Sequence, residues 1–279
     1  MISIGLAMTA CMGWGIADFI GGLKSRDIPT LMILIISNGV GLCLLGAILA
    51  GSAKPVTSDP SLAWAVPAGI VGIGAMYLLY KSLSMGTMSI LAPVSATGVI
   101  LPVIWGIING DQLTVLTMAG MAVAFAGTLL AVMEPTKENH RSRWTKGFGH
   151  ALGAAVCIGF YFILMDKASG TDPLWASMIM RSSTFAFLIP VILVARTPFA
   201  LKARHLPVIV LMGMVDTMAA FAFAMAAQSG MLSIVALISS LYPAVTVLLS
   251  AVIIRERINR IQTTGVVLAI AGVVLISGV

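Results

Sequence analysis

Apolar residues run through this chain in blocks of about twenty, the length a helix needs to cross the hydrocarbon core of a bilayer. Cutting the blocks at charges, prolines and glycines predicts ten helices, over 2–22, 30–51, 62–85, 88–109, 114–133, 147–167, 173–195, 207–229, 232–254 and 261–278. Pro29, Pro67, Pro173 and Pro207 fall near helix starts, where a missing N–H is harmless. Pro93, Pro102, Pro190 and Pro243 fall inside the blocks, where they should kink or unwind the backbone.

The longest polar stretch, EPTKENHRSRWTK at 134–146, separates five predicted helices from five. The two sides repeat each other. GTMSILAPVS at 86–95 and GMLSIVALIS at 230–239 agree at five of ten positions, and DQLTVLTMAGMAVAFAG at 111–127 parallels ERINRIQTTGVVLAIAG at 256–272. The chain therefore reads as a duplicated unit, 1–133 and 147–279, joined by a basic loop at 134–146. An odd number of helices per unit forces the second copy to enter the membrane upside down. Inverted repeats are a transporter signature, with the site near mid-membrane between the halves.

Composition agrees. Of 279 residues, 59% are hydrophobic and 9% charged, where a soluble domain carries about 25% charged residues. Mean hydropathy is +1.06. The expected fold is an all-α polytopic membrane protein in the cell (plasma or inner) membrane. The net charge of +6 fits basic cytoplasmic loops and calls for no nucleic-acid partner. The loops after helices 1, 5, 7 and 9 hold twelve bases, among them Lys24, Arg26, Lys137, Arg141, Arg143, Lys146 and Arg255; the other side holds Lys54 and Lys167, which places both termini outside. The first residues, MISIGLAMTAC, are apolar with no basic leader, so they read as a first membrane helix and not a cleaved signal peptide. Cys11, Cys43 and Cys157 lie in apolar runs without metal or disulfide spacing.

Against this background the intramembrane polar residues stand out. Asp216 is the one charged residue between His205 and Arg255. It falls roughly 13–14 Å from the basic end of its helix, near mid-membrane, at about 1.5 Å per residue. A charge at a helix centre costs about 2.5–3.5 kcal/mol on insertion scales. A carboxylate there that exchanges a proton suits a proton-coupled carrier; one that stays ionised holds a substrate amino group or Arg181. Arg181 is the natural partner, since consecutive helices are antiparallel neighbours, and the pair could also be purely structural. Asp18, one turn from Trp14, either lines a cavity mouth or pairs with Lys24 or Arg26 near the interface. In SSLYP, 239–243, Tyr242 precedes a proline and is biased away from helix, so Ser239 and Tyr242 can face a ligand. The counterpart APVSATG, 92–98, offers Ser95. Tyr77 and Tyr161 are candidate aromatic walls, and Asn38 could bond across helices. Glu256, between Arg255 and Arg257, reads as a loop carboxylate. The rows Gly120–Ala124–Gly127 and Gly265–Ala269–Gly272 read as tight helix packing that could also serve a homodimer.

His140, His150 and His205 lie in or beside loops, and no hydrolase, metal or nucleotide-binding motif occurs. The expectation is a protein that is not an enzyme, has no cofactor, and moves solutes without ATP.

ALISSLYPAVTVLLSAVIIRERINRIQTTGVVLAIAGVVLIS, 236–277, resembles the EamA-like branch of the drug/metabolite transporter superfamily in its SLYP, its TVLL, a Glu flanked by bases, Gln262, Gly265 and Gly272. LAPVSATGVILPV and NGDQLT in the first half and GWGIADFIGG in the first helix are similar to the same family. The resemblance implies a ten-helix inverted-repeat carrier, often an exporter of amino acids or other small metabolites. Its partners would be a small-molecule substrate, the lipid bilayer and, where transport is coupled, protons. Multidrug or organic-cation efflux, metabolite uptake, and a non-transporting membrane sensor or scaffold are the other readings.

Overall fold

The structure, a computed structural model, describes residues 2–25, 27–52, 54–55, 57–85, 94–131, 144–197, 202–253 and 259–277. Among these residues all regular structure is helical. The helices are α1 (Ile2–Lys24), α2 (Thr30–Ser52), α3 (Ala65–Met85), α4 (Ile100–Ile108), α5 (Val115–Ala131), α6 (Trp144–Ser169), α7 (Pro173–Ala195), α8 (Leu206–Ser229), α9 (Leu232–Ser239), α10 (Tyr242–Ile253) and α11 (Arg260–Ser277). Seven helical stretches are long and apolar enough to cross a membrane: Ile2–Lys24, Thr30–Ser52, Pro60–Ser82, Gly147–Ser169, Pro173–Ala195, Ala203–Ser229 and Leu232–Ile253. Three apolar helices, Val94–Ile108, Val115–Ala131 and Arg260–Ile276, are shorter. This is a multi-pass membrane protein. Arg26, Pro93, Glu256, Arg255, Arg257 and the linker from 134 to 143 lie outside the described residues.

The interruption expected at SSLYP is present. α9 stops at Ser239, the Ser240 N–H turns back to Ala236 O at 2.9 Å and Leu237 O at 3.1 Å, and helix resumes at Tyr242. In the other half Thr97–Val99 tightens into a 3-10 turn before α4. Pro102 and Pro190 do not unwind their helices: α4 and α7 remain helical through them. One lost backbone bond is tolerated where neighbouring helices shield the site.

The principal packing pairs join the two halves of the chain: α1 with α8, α3 with α6, α5 with α11, α2 with α7 and α8, and α4 with α9. With α9 and α10 counted as one broken segment, exchanging each helix for its counterpart five places on maps these pairs onto packing pairs of the same bundle. Two counterpart pairs, α2 with α7 and α5 with α11, run antiparallel. Along α2 and α7, Gly39 faces Phe185 and Gly41 faces Arg181; along α5 and α11, Gly120 faces Leu275 and Ile276 while Gly127 faces Ala269 and Gly265. At Gly127 and Gly265 a Cβ would strike the opposite backbone, so these rows bring two helices of one chain to van der Waals distance. That packing consumes the small-residue rows, which are therefore not available as a homodimer face.

The turns after α2 and α6 are clasped to each other. Asp59 caps the turn Pro60–Trp64, taking the Ser61 N–H at 2.7 Å, and also accepts from the Thr171 hydroxyl. Asp172 caps α7 through the Leu174 and Trp175 N–H groups at 3.1 and 3.2 Å, pairs with Lys54 at 2.7 Å, and accepts from Thr57 at 3.3 Å. Trp175 Nε1 donates to Pro55 O at 2.9 Å. Nearby, Asp111 accepts from the N–H and hydroxyl of Ser233 at 2.9 and 2.6 Å, capping the start of α9 from the other half. Burial pushes the Asp172 carboxyl up, but Lys54 and the capped N–H groups outweigh it, so its pKa lies below the ordinary 3.8. The Thr171 hydroxyl and the Ser61 N–H likewise hold Asp59 low.

Replacing Asp172 by Ala removes a cap and a bridge, and should cost about 2 kcal/mol, read as a lower melting temperature of the purified protein. Both carboxyls have depressed pKa values in the folded state, so their contribution is complete above the ordinary carboxylate range and is lost as pH falls through the depressed values. The melting temperature should therefore fall below about pH 4, and fall less in Asp172→Ala.

Candidate functional site

Asp172 and Pro173 start α7 in register, which puts Arg181 two turns into the bundle, roughly 12 Å along the axis. Its stem passes Gly41 of α2, where a Cβ would come within 3.5 Å of Arg181 Cδ. One arm of the guanidinium, Nη2, bonds Asp216 of α8 at 2.6 Å; the other, Nη1, donates to Asn38 Oδ1 of α2 at 3.0 Å. Asn38 is fixed in turn, its Nδ2 donating to Leu34 O at 2.8 Å. The Arg181 side chain is 6% exposed and that of Asp216 21%. Among the described residues Arg181 Nε has no acceptor. Three helices thus meet at one charge-assisted link, strong because short and ionic.

The link borders a cavity of about 110 Å³, room for several waters or part of a small solute. Trp14, Asp18, Tyr161 and Tyr242 line it beside Asn38, Arg181 and Asp216. Three of the lining residues, Trp14, Tyr161 and Tyr242, belong to an aromatic cluster centred on Trp14, which Phe162 and Phe223 complete behind the lining. The Trp14 ring lies 5.8 Å from Phe162, 5.7 Å from Phe223, 6.3 Å from Tyr161 and 6.4 Å from Tyr242, centroid to centroid. Phe162 and Phe223 pack at 4.8 Å and are almost fully buried. Asp18 accepts from the Tyr80 hydroxyl at 3.4 Å, a long contact. The lining comes from α1, α2 and α3 of the first half and α6, α7, α8 and α10 of the second.

A bundle of apolar helices around a cavity with a few charged side chains in its wall is matched by family comparison. The sequence profile of the EamA-like transporter family matches residues 1–133 and again residues 145–278. The chain belongs to the EamA-like transporter family. Membership is consistent with the drug/metabolite transporter superfamily, a group of membrane transporters. A solved structure described only as "Crystal structure of protein" superposes with a TM-score of 0.81 at 15% identity, covering 98% of this chain and 95% of its own. At that identity the likeness concerns the fold alone. No curated protein matches the chain.

In this EamA-like protein the tertiary structure gathers Trp14, Asp18, Tyr161, Arg181, Asp216 and Tyr242 around one cavity. Three other candidates lie elsewhere. Tyr77 is 43% exposed and points away, because the inward face of α3 runs through Gly69, Gly72, Ile73 and Met76, spaced as one helical face. Ser239 is fully buried and bonds Ala7 O at 3.4 Å, tying α9 to α1. Ser95 is buried outside the cavity lining. Asp18 is no interfacial anchor: α1 continues a further turn and a half to Lys24, and the carboxylate turns into the cavity. Asn38 and Tyr80 complete the polar set. Asn38 was visible as a mid-helix amide, whereas Tyr80 carries no signal separating it from Tyr77.

Removing one partner from a buried pair leaves the other charge stranded, at about 3–5 kcal/mol. Arg181→Met should therefore lower the melting temperature strongly. Asp216→Asn, whose amide oxygen can still accept from the Arg181 guanidinium, should cost less. The double variant Arg181→Met/Asp216→Asn should recover most of the loss, because it strands no charge. Thermal unfolding of the four proteins in one detergent measures this coupling.

Proposed function

We propose that this protein is a secondary carrier of small metabolites in the cell (plasma or inner) membrane, most readily an exporter of amino acids or related compounds. The observation that carries the reading is the cavity itself. It lies within an otherwise apolar bundle, receives helices from both halves, and holds ionisable side chains from α1, α7 and α8. A purely structural bundle has no need of charges there, since each must be compensated at a cost in packing.

In this reading the chain has ten spans in two inverted five-helix units, 1–133 and 147–279. The antiparallel pairing of counterpart helices supports it, and so does the exchange pattern of the packing. Transport proceeds by alternating access, one half rocking against the other around the cavity. The clasp of Asp59, Thr171, Asp172 and Lys54 holds the halves together at one face, and has to open when that face opens. The Arg181–Asp216 link and the cavity residues Asp18, Trp14, Tyr161 and Tyr242 form the binding or coupling site. With no nucleotide-binding motif, the driving force is a solute or proton gradient.

The test compares metabolites in the medium of cells expressing the intact protein and Asp216→Asn, at matched membrane levels. A compound enriched outside by the intact protein, and at least about tenfold less so by the variant, is the expected result and names a substrate. Matching media with both proteins folded would count against export and against a transport role for Asp216, as a sensor or scaffold requires.

A further inference from the structure

The cavity holds two carboxylates, and only one has a cation of its own. Asp216 is paired with Arg181 at 2.6 Å. Asp18 accepts the long Tyr80 bond, and among the described residues no lysine, arginine or histidine pairs with it.

The depth of Asp18 follows from the packing of α1 on α8. Gly13 faces Val215 and Ala219, and Gly21 faces Met212. The two helices are therefore antiparallel, and Asp18 lies within about one turn of the level of Asp216. A carboxylate without a counter-charge at that depth is costly, so it rests either protonated or against a cation supplied from outside the protein.

The surroundings select the kind of cation. Trp14 precedes Asp18 by one turn on the same helical face, and Tyr242 closes the same side of the cavity, its ring edge-on to Trp14 at 6.4 Å. Aromatic faces attract organic ammonium groups. A hard metal ion asks for several oxygen ligands, and among the described residues no cluster of three or more His, Cys, Asp or Glu exists. An anion would meet two carboxylates and a guanidinium already engaged by Asp216 and Asn38.

We propose that Asp18 is the receptor for a protonated amine, so that the solutes of this cavity are small amines or amino acids that present an ammonium group to α1 beside Trp14 and Tyr242. The carrier reading above supplies the physiological meaning, but the binding is measurable without transport.

The test uses the full chain, purified in detergent, with four probes on one carbon skeleton: n-butylamine, L-2-aminobutyrate, butyrate and butan-1-ol. Melting temperature and calorimetric titration are read for the intact protein, Asp18→Asn and Asp18→Glu. The expected result is protection by the amine or the amino acid, none by butyrate or the alcohol, and binding at least about tenfold weaker in Asp18→Asn. Asp18→Glu, which keeps the carboxylate, should retain the preference for the ammonium group, and guards against an Asn variant that fails to fold. Protection by butyrate equal to that by butylamine would overturn the proposal, as would amine binding undiminished in Asp18→Asn, or no protection by either amine at millimolar concentration. Liposome flux separates the two readings. Amine binding at Asp18 without flux sinks the carrier and leaves this proposal; butyrate flux indifferent to Asp18 does the reverse.

Discussion

Hydrocarbon offers no hydrogen-bond partner and little relief for a charge, and nearly every feature of this protein answers to that constraint. The backbone satisfies itself by winding into helices. Where the winding is interrupted, at Ser240 and Leu241, the loosened N–H groups turn back onto carbonyls of the preceding turn. Some buried polar side chains are treated the same way: Ser177 and Thr217 each donate to the carbonyl four residues earlier, while Ser239 and Thr184 reach a carbonyl of a neighbouring helix.

Ionisable residues cannot be satisfied so locally, and they organise the bundle. Arg181 draws α2, α7 and α8 to a common point through Asn38 and Asp216. That point borders the cavity, so this strongly polar link of the interior is one that a solute or water in the cavity can reach. Asp216 keeps part of its surface on the cavity side while Arg181 is almost fully enclosed. Such a link holds the helices in register yet leaves one partner open to competition. The clasp outside the hydrophobic layer works differently. Its two acids are helix caps first and cross-links second, so opening the clasp would also loosen the starts of two helices.

The tight seam between α5 and α11 supplies the opposite quality. Glycine and alanine rows there allow backbone-to-backbone approach, and contact of that kind resists sliding because no flexible side chain lies between the helices. Such approach is not confined to this seam: Gly69 meets the Met180 carbonyl in the cavity wall and Gly98 meets the Ala155 backbone, so close packing reaches the cavity as well.

The membrane class, the places of most helices and the duplication were legible in the residues. So was the identity of the two charges that find each other, because block length, repeat and an isolated Asp in an apolar run are properties of the chain in one dimension. Family membership was legible too, through short stretches such as SLYP. Which side of each helix faces inward was not. In a soluble protein the polar face betrays the outside; here lipid and protein interior are equally apolar, so Tyr77 and Tyr80 look alike although one faces outward and the other reaches Asp18. Phe162 and Phe223 were invisible as the packing behind Trp14 for the same reason. The depth of Asp18, the inward burial of Ser239 against α1, and the mutual consumption of the two small-residue rows all depend on which helix stands beside which. That is settled by packing between segments far apart in the sequence and by no local pattern, and so the tertiary structure alone decided that Asp18 lies in the cavity with no basic partner among the described residues.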